Sequence, residues 1–209
     1  MKEYRMLYIK AMLINKDILE GKKIGKNIDF EKEFFLILKN TLISISNFSD
    51  FELELRFLYS ENRDICKIYS SISKNIEFFK YLRNKYVGHL KKELIEKAIE
   101  WRPELLYSNI IEHSVIINLY ILETAINSYC NEEGKNKIFE SDTDLIYPPD
   151  LDRFYKYLQE TIEKSSEYLE GIIKLLKSKI ELKDPNKIDY SDFIEAGKTQ
   201  FKFIKKTKR

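Results

Sequence analysis

The chain has 209 residues, of which 44% are hydrophobic and 13% aromatic, enough for one buried core and too apolar for a chain disordered throughout. With 36 Lys+Arg against 34 Asp+Glu the formal charge is only +2, so any attraction to a polyanion must come from a local patch. Six Gly and four Pro are few for a fold of many tight turns, which favours long helices.

Residues 3–20 place Met6, Ile9, Met12 or Leu13, and Ile14 at three- and four-residue steps. This spacing predicts a helix with those residues facing inward, ending before Gly21 and Gly25. Asp29 can cap a second helix with Phe34, Leu38, Leu42 and Ile45 on one stripe, closing near Phe48-Ser-Asp. A long helical region of about residues 52–84 follows, with Leu55, Leu58, Ile65, Ile68, Ile72, Ile76, Phe79 and Leu82 near helical spacing. Ser60-Glu-Asn offers a break within it.

A short helix of about residues 90–101 ends at Trp101-Arg-Pro103, a junction to which no chemistry is assigned. Pro103, at a favoured first-turn position, opens another that runs through Leu106, Ile110, Ile117 and Tyr120 to about Cys130. His113 lies on that row and is expected to be packed and hydrogen-bonded. Residues 131–148 are polar, hold Gly134 and finish in Pro148-Pro149, so they read as a loop.

Asp150 opens the longest helix, about 150–182, whose Leu151, Tyr155, Leu158, Ile162, Leu169, Ile172 and Leu176 suit bundle packing or a short dimer seam. Asp184-Pro185-Asn ends it, and the chain closes with FKFIKKTKR, five basic residues in nine. No strand alternation or internal repeat is evident. The expected fold is all-α: a single bundle of six or seven helices over residues 1–182, then a basic, flexible tail over 183–209.

Cys66 and Cys130 are the only cysteines, too few for a disulfide framework or a Cys-based zinc site, and are expected as small buried apolar residues. The longest stretches without Asp, Glu, Lys or Arg, Asn40 to Ser49 and His113 to Leu122, have ten residues each. A membrane span needs roughly 20. The opening MKEYRMLYIK breaks its apolar run with charge and offers no small-residue cleavage site, so no signal peptide is expected. The expectation is a cytoplasmic protein with no membrane partner.

The residues that carry chemistry sit in Phe78-Phe-Lys-Tyr-Leu-Arg-Asn-Lys-Tyr-Val-Gly-His-Leu90. It holds His89, one of two histidines, six positions after Arg83. On an unbroken helix that step leaves the two side chains well apart around the axis. Gly88 precedes His89 and can bend or end the helix, turning His89 toward the side of Arg83. Arginine brings a permanent charge and a donor fork matched to phosphate. Histidine titrates near neutrality. Together they are a minimal kit for phosphodiester chemistry.

Between Lys74 and Lys92 stand Lys74, Lys80, Arg83, Lys85, Lys91 and Lys92 against the single acid Glu77, a local charge of +5. A polyanion should be drawn there, with Tyr81 and Tyr86 at hand for base stacking. The candidate RNA-binding set is therefore Lys80, Tyr81, Lys85, Tyr86, Lys91 and Lys92.

LRNKYVGHL resembles the Arg-x(4–6)-His motif of the HEPN superfamily, the higher eukaryotes and prokaryotes nucleotide-binding domains. The spacing is Arg-x5-His, and Asn84 meets the family preference for a polar residue straight after the Arg. The motif covers about ten residues, and the helical setting is compatible over roughly residues 28–180. The resemblance implies a helical bundle and a metal-independent endoribonuclease of prokaryotic defence, of the stand-alone abortive-infection or toxin type. It needs no cofactor, acts on RNA and forms its site across a homodimer.

Family members paired with a nucleotidyltransferase antitoxin commonly carry a Tyr two residues after the His. Here that position is Lys91, which puts that form of control in doubt while leaving a different antitoxin or regulatory protein possible.

Metal-free RNA cleavage needs one group to take the 2′-hydroxyl proton and another to protonate the leaving 5′-oxygen. It also needs positive charge on the transition state. One His89 serves one proton step and Arg83 the electrostatic one; a second copy supplies the other His89. Asn84 would orient a phosphate oxygen, the ribose or His89. Two other readings stand beside this one. The first is a non-catalytic HEPN-like module binding RNA, a nucleotide or a protein partner. The second is a helical interaction protein assembling through Leu169 and Leu176.

Overall fold

The computed structural model describes residues 2–24, 33–88, 90–111, 113–184 and 190–199. Among these residues it is all-α, with six helices of ten residues or more and no β-strand, only an isolated bridge between Cys130 and Asn136. The long helices are α1 (Lys2–Glu20), α2 (Phe34–Leu55), α3 (Arg63–Leu82), α4 (Lys92–Trp101), α6 (Ser114–Asn127) and α7 (Pro148–Ser178). Two short ones, α5 (Ser108–Ile111) and α8 (Tyr190–Ala196), complete the series. No helix among the described residues is long and apolar enough to cross a membrane.

Helices α1, α2, α3 and α7 form a four-membered ring in which α1 and α3 each pack against both α2 and α7. Their inward stripes meet in one core, from Leu7 and Ile18 through Leu38, Leu42, Phe48 and Phe79 to Phe154, Leu158, Ile162 and Leu176. Gly21, just past α1, marks the tightest approach. A Cβ there would stand 2.7 Å from the Thr41 side chain and 2.9 Å from Ile162 Cδ1. The pair α4 and α6 packs together at the C-terminal end of α3.

The inward face of α1 differs from the expected one. Leu7, Ala11, Ile14 and Ile18 are buried, whereas Met6, Ile9 and Leu13 point outward at 59%, 57% and 59% exposure. Both series have helical spacing, so α1 is apolar on two sides, and only packing against α7 and α2 selects one of them.

Helix α2 runs through Phe48-Ser-Asp without a break, because Phe48, Phe51 and Leu55 continue its buried stripe. Asp50 instead faces outward, where it accepts an ion pair from Lys80 at 2.6 Å. The interruption falls at residues 56–62, around Ser60-Glu-Asn. Asp29, the expected cap, lies outside the described residues.

The helix expected from Pro103 to Cys130 is three pieces: a 3-10 turn at Pro103–Leu106, then α5, then α6. Leu106, Ile110 and Ile117 therefore do not share one face. His113 stands exposed at the start of α6 without a side-chain capping bond, not packed in an apolar row.

Pro148 and Pro149 belong to the first turn of α7 rather than to the preceding loop, since a helix start needs no N–H from them. Leu169 and Leu176 are fully buried in the chain's own bundle. Those two side chains are therefore spent on the chain's own core rather than offered to a second copy. Cys66 and Cys130 are free and half-buried rather than fully buried. Residues 190–196 of the expected flexible tail form α8, and the FKFIKKTKR segment at 201–209 lies outside the described residues.

Two buried carboxylates tie elements together. Glu52 on α2 accepts from Arg56 Nε at 3.0 Å and from the Tyr59 hydroxyl at 2.8 Å, and that hydroxyl meets the Tyr168 hydroxyl at 2.8 Å. Glu123 on α6 accepts from Trp101 Nε1 at 2.7 Å, Arg102 Nε at 2.9 Å and the Leu145 backbone N–H at 2.9 Å. The Trp101-Arg102-Pro103 junction is thus the clamp that fixes α4 and the 128–147 loop to α6.

Candidate functional site

Phe78, Phe79 and Leu82 bury the last turns of α3 in the core and so fix where Arg83 begins. From Arg83 to Gly88 the backbone widens into a π-helical turn. Such turns insert an extra residue per turn and recur at functional sites. Tyr86 continues the buried stripe of Phe79 and Leu82 at three- and four-residue steps, while Arg83 stays half-exposed and Asn84 exposed.

Arg83 Nη1 donates to Asn84 Oδ1 at 3.0 Å. Its Nε is buried and has no hydrogen-bond partner among the described residues. The guanidinium folds back along the turn toward Gly88. A Cβ on Gly88 would lie 3.3 Å from the Arg83 carbonyl oxygen and 3.7 Å from its Nη1. The tighter of the two contacts is with the backbone carbonyl, and the guanidinium lies at ordinary van der Waals distance from that position. His89, bonded to Gly88, lies outside the described residues.

The surrounding charge is less free than the sequence implies. Lys80 is committed to Asp50 at 2.6 Å and Lys92 to Glu96 at 3.1 Å. Lys74 and Lys91 have no ion-pair partner among the described residues, and both are exposed. Lys85 Nζ stands 5.9 Å from the centre of the Tyr81 ring. Lys80 and Lys92 therefore have to exchange an existing partner for a phosphate, which lowers what each can add.

Tyr86 is not available for stacking. It is 2% exposed, its hydroxyl donates to Asn118 Oδ1 at 3.0 Å, and Lys39 Nζ stands 5.0 Å from its ring centre. Burial pushes its phenol above the ordinary value. Its place in the basic stretch suggested stacking, but it stands four positions after Leu82 and so on the buried stripe of α3.

Tyr81 stays half-buried at the surface, its ring 4.8 Å from that of Tyr129. Lys137 Nζ lies 5.0 Å from the Tyr129 ring centre. Tyr129 and Lys137 are thus neighbours of the motif that sequence reasoning did not select. They come from the loop after α6, and only the tertiary packing brings them to α3. Among the described residues no three His, Cys, Asp or Glu side chains are grouped to hold a metal ion. No family model, curated protein or solved structure matches this chain.

Proposed function

We propose that the chain is a metal-independent endoribonuclease of the HEPN type, a toxin or abortive-infection effector acting on RNA in the cytoplasm as a homodimer. One observation carries the reading: the approach of the Arg83 guanidinium to Gly88, the residue bonded to His89. In the proposed arrangement Gly88 lets the chain turn at the end of the π-helical segment, so that an Arg and a His six positions apart serve one phosphate.

In the proposed reaction one His89 imidazole takes the proton of the ribose 2′-hydroxyl, and that oxygen attacks the adjacent phosphorus. The His89 of the second copy, protonated, gives its proton to the departing 5′-oxygen. A 2′,3′-cyclic phosphate and a 5′-hydroxyl result. Arg83 stabilises the charge that builds on the non-bridging oxygens, and Asn84, held by Arg83, orients the group they grip. Lys85, Lys91 and Lys92 draw the backbone in, and Tyr81 offers a ring face to a base.

Arg83→Ala and His89→Ala should each lower RNA cleavage by about 100-fold or more, and should relieve toxicity on expression. Neither should shift the thermal unfolding midpoint appreciably. Cleavage retained by both variants would refute the assignment of these residues.

A further inference from the structure

An apolar groove of about 440 Å³ opens between α4, the Pro103–Leu106 turn and α6. That volume is in the range that holds small organic ligands. Ile95, Ile99, Leu105, Ile117 and Ile121 supply its walls.

At one side stands Lys39, from α2. Its ammonium donates to Asn118 Oδ1 at 2.9 Å and lies against the Tyr86 ring. No carboxylate is within ion-pair distance of it among the described residues. Asn118 Oδ1 also accepts from the Tyr86 hydroxyl, and Asn118 Nδ2 donates to the Ser114 carbonyl at 2.8 Å. The neutral partner of the ammonium is therefore already shared.

Arg102 and Arg153, also partly covered, have acids: Glu123 and Asp144 for the first, Asp150 for the second. Lys39 has the neutral Asn118 instead, and burial lowers its pKa from the ordinary lysine value. A cation short of its counter-charge, beside an aliphatic groove, defines its complement: one negative charge at the end of a flexible apolar body.

We propose that the groove binds an aliphatic monocarboxylate, with its carboxylate on Lys39 and its hydrocarbon along Ile95, Ile99, Leu105, Ile117 and Ile121. A nucleobase fits less well, because the walls are aliphatic and the Tyr86 ring already carries Lys39. The proposal stands apart from the nuclease reading and survives its failure.

Titration of the full-length protein with decanoate and with decan-1-ol, below the micellar range, tests it. Decanoate should bind at least about tenfold more tightly than the alcohol, equivalent to about 1.4 kcal/mol, and should raise the unfolding midpoint. Lys39→Met should abolish that preference while retaining the helical circular dichroism. Ile99→Trp should block both probes by filling the groove. If Lys39→Met does not fold, the wild-type preference still decides.

Equal affinity for acid and alcohol would overturn the proposal, as would binding of neither. Failure to bind either probe, together with a dimer that Leu106→Glu dissociates, would overturn it in favour of a second copy seated in the groove.

Discussion

Glu123 brings together four donor groups from Trp101, Arg102 and the Leu145 backbone, and it has no solvent exposure. Removing it takes one carboxylate from Arg102, which keeps Asp144, and leaves the Trp101 and Leu145 N–H groups without their acceptor, at about 1–3 kcal/mol for each buried donor left unpaired. Glu123→Ala should therefore lower the urea midpoint sharply, and a shift under 1 kcal/mol would contradict the clamp. Asp144 shares Arg102 at 3.1 Å. Burial pushes its carboxyl up, but the Ile146 N–H and the Arg102 guanidinium outweigh it, and the net result lies below the ordinary value. A depressed carboxylate stabilises the fold fully above the unfolded pKa of about 3.9, and loses that contribution as pH falls through the folded value. Wild type and Asp144→Asn should thus differ most in stability near neutrality and converge as acid protonates the folded carboxyl. A gap independent of pH would contradict this.

Helix α1 poses the sharpest question at the scale of elements, because it is apolar on two sides and buries one. Replacing Met6, Ile9 and Leu13 by Gln should change stability by no more than about 0.5 kcal/mol per site. Ile18→Ala should cost about 2–5 kcal/mol. Chemical denaturation of both variants decides which face the core uses, and a reversed order would sink the packing described. The same helix explains what the sequence could and could not tell. On α2, the stripe Phe34, Leu38, Leu42 and Ile45 is read correctly and buried throughout, although Leu36, Ile43 and Leu53 leave apolar side chains on its outer side. On α1, two stripes compete, and the choice belongs to α2 and α7. Tyr86 was expected outside because it stands in the basic stretch, yet it follows Phe79 and Leu82 at helical steps and is found in the core with them. The broken row at Leu106, Ile110 and Ile117 misplaced His113 because apolar periodicity persists across the breaks between the 3-10 turn, α5 and α6 that it does not encode.

For the whole molecule, the four-helix ring of α1, α2, α3 and α7 is a rigid frame whose purpose at the motif end is to fix the origin of one turn. Arg83 and Asn84 were singled out in sequence by their spacing from His89, and in the fold they share a hydrogen bond of 3.0 Å. Tyr129 and Lys137 were not legible, because a loop carries them to Tyr81 from the far side of α6. Nor was the pairing of Lys80 with Asp50, which lies 30 positions away. What the sequence presents as a stretch of +5 is, in the fold, a smaller set of free cations around Arg83. The nuclease reading therefore rests on the geometry of one arginine and one glycine more than on bulk charge.

The measurement that tests this reading most directly is incubation of the purified protein with end-labelled single-stranded RNA in excess EDTA, beside His89→Ala. The account predicts cleavage by the wild type alone, with 2′,3′-cyclic phosphate ends. RNA bound but uncut by the wild type would contradict it and leave a binding module, and equal cutting by both proteins would remove His89 from the chemistry.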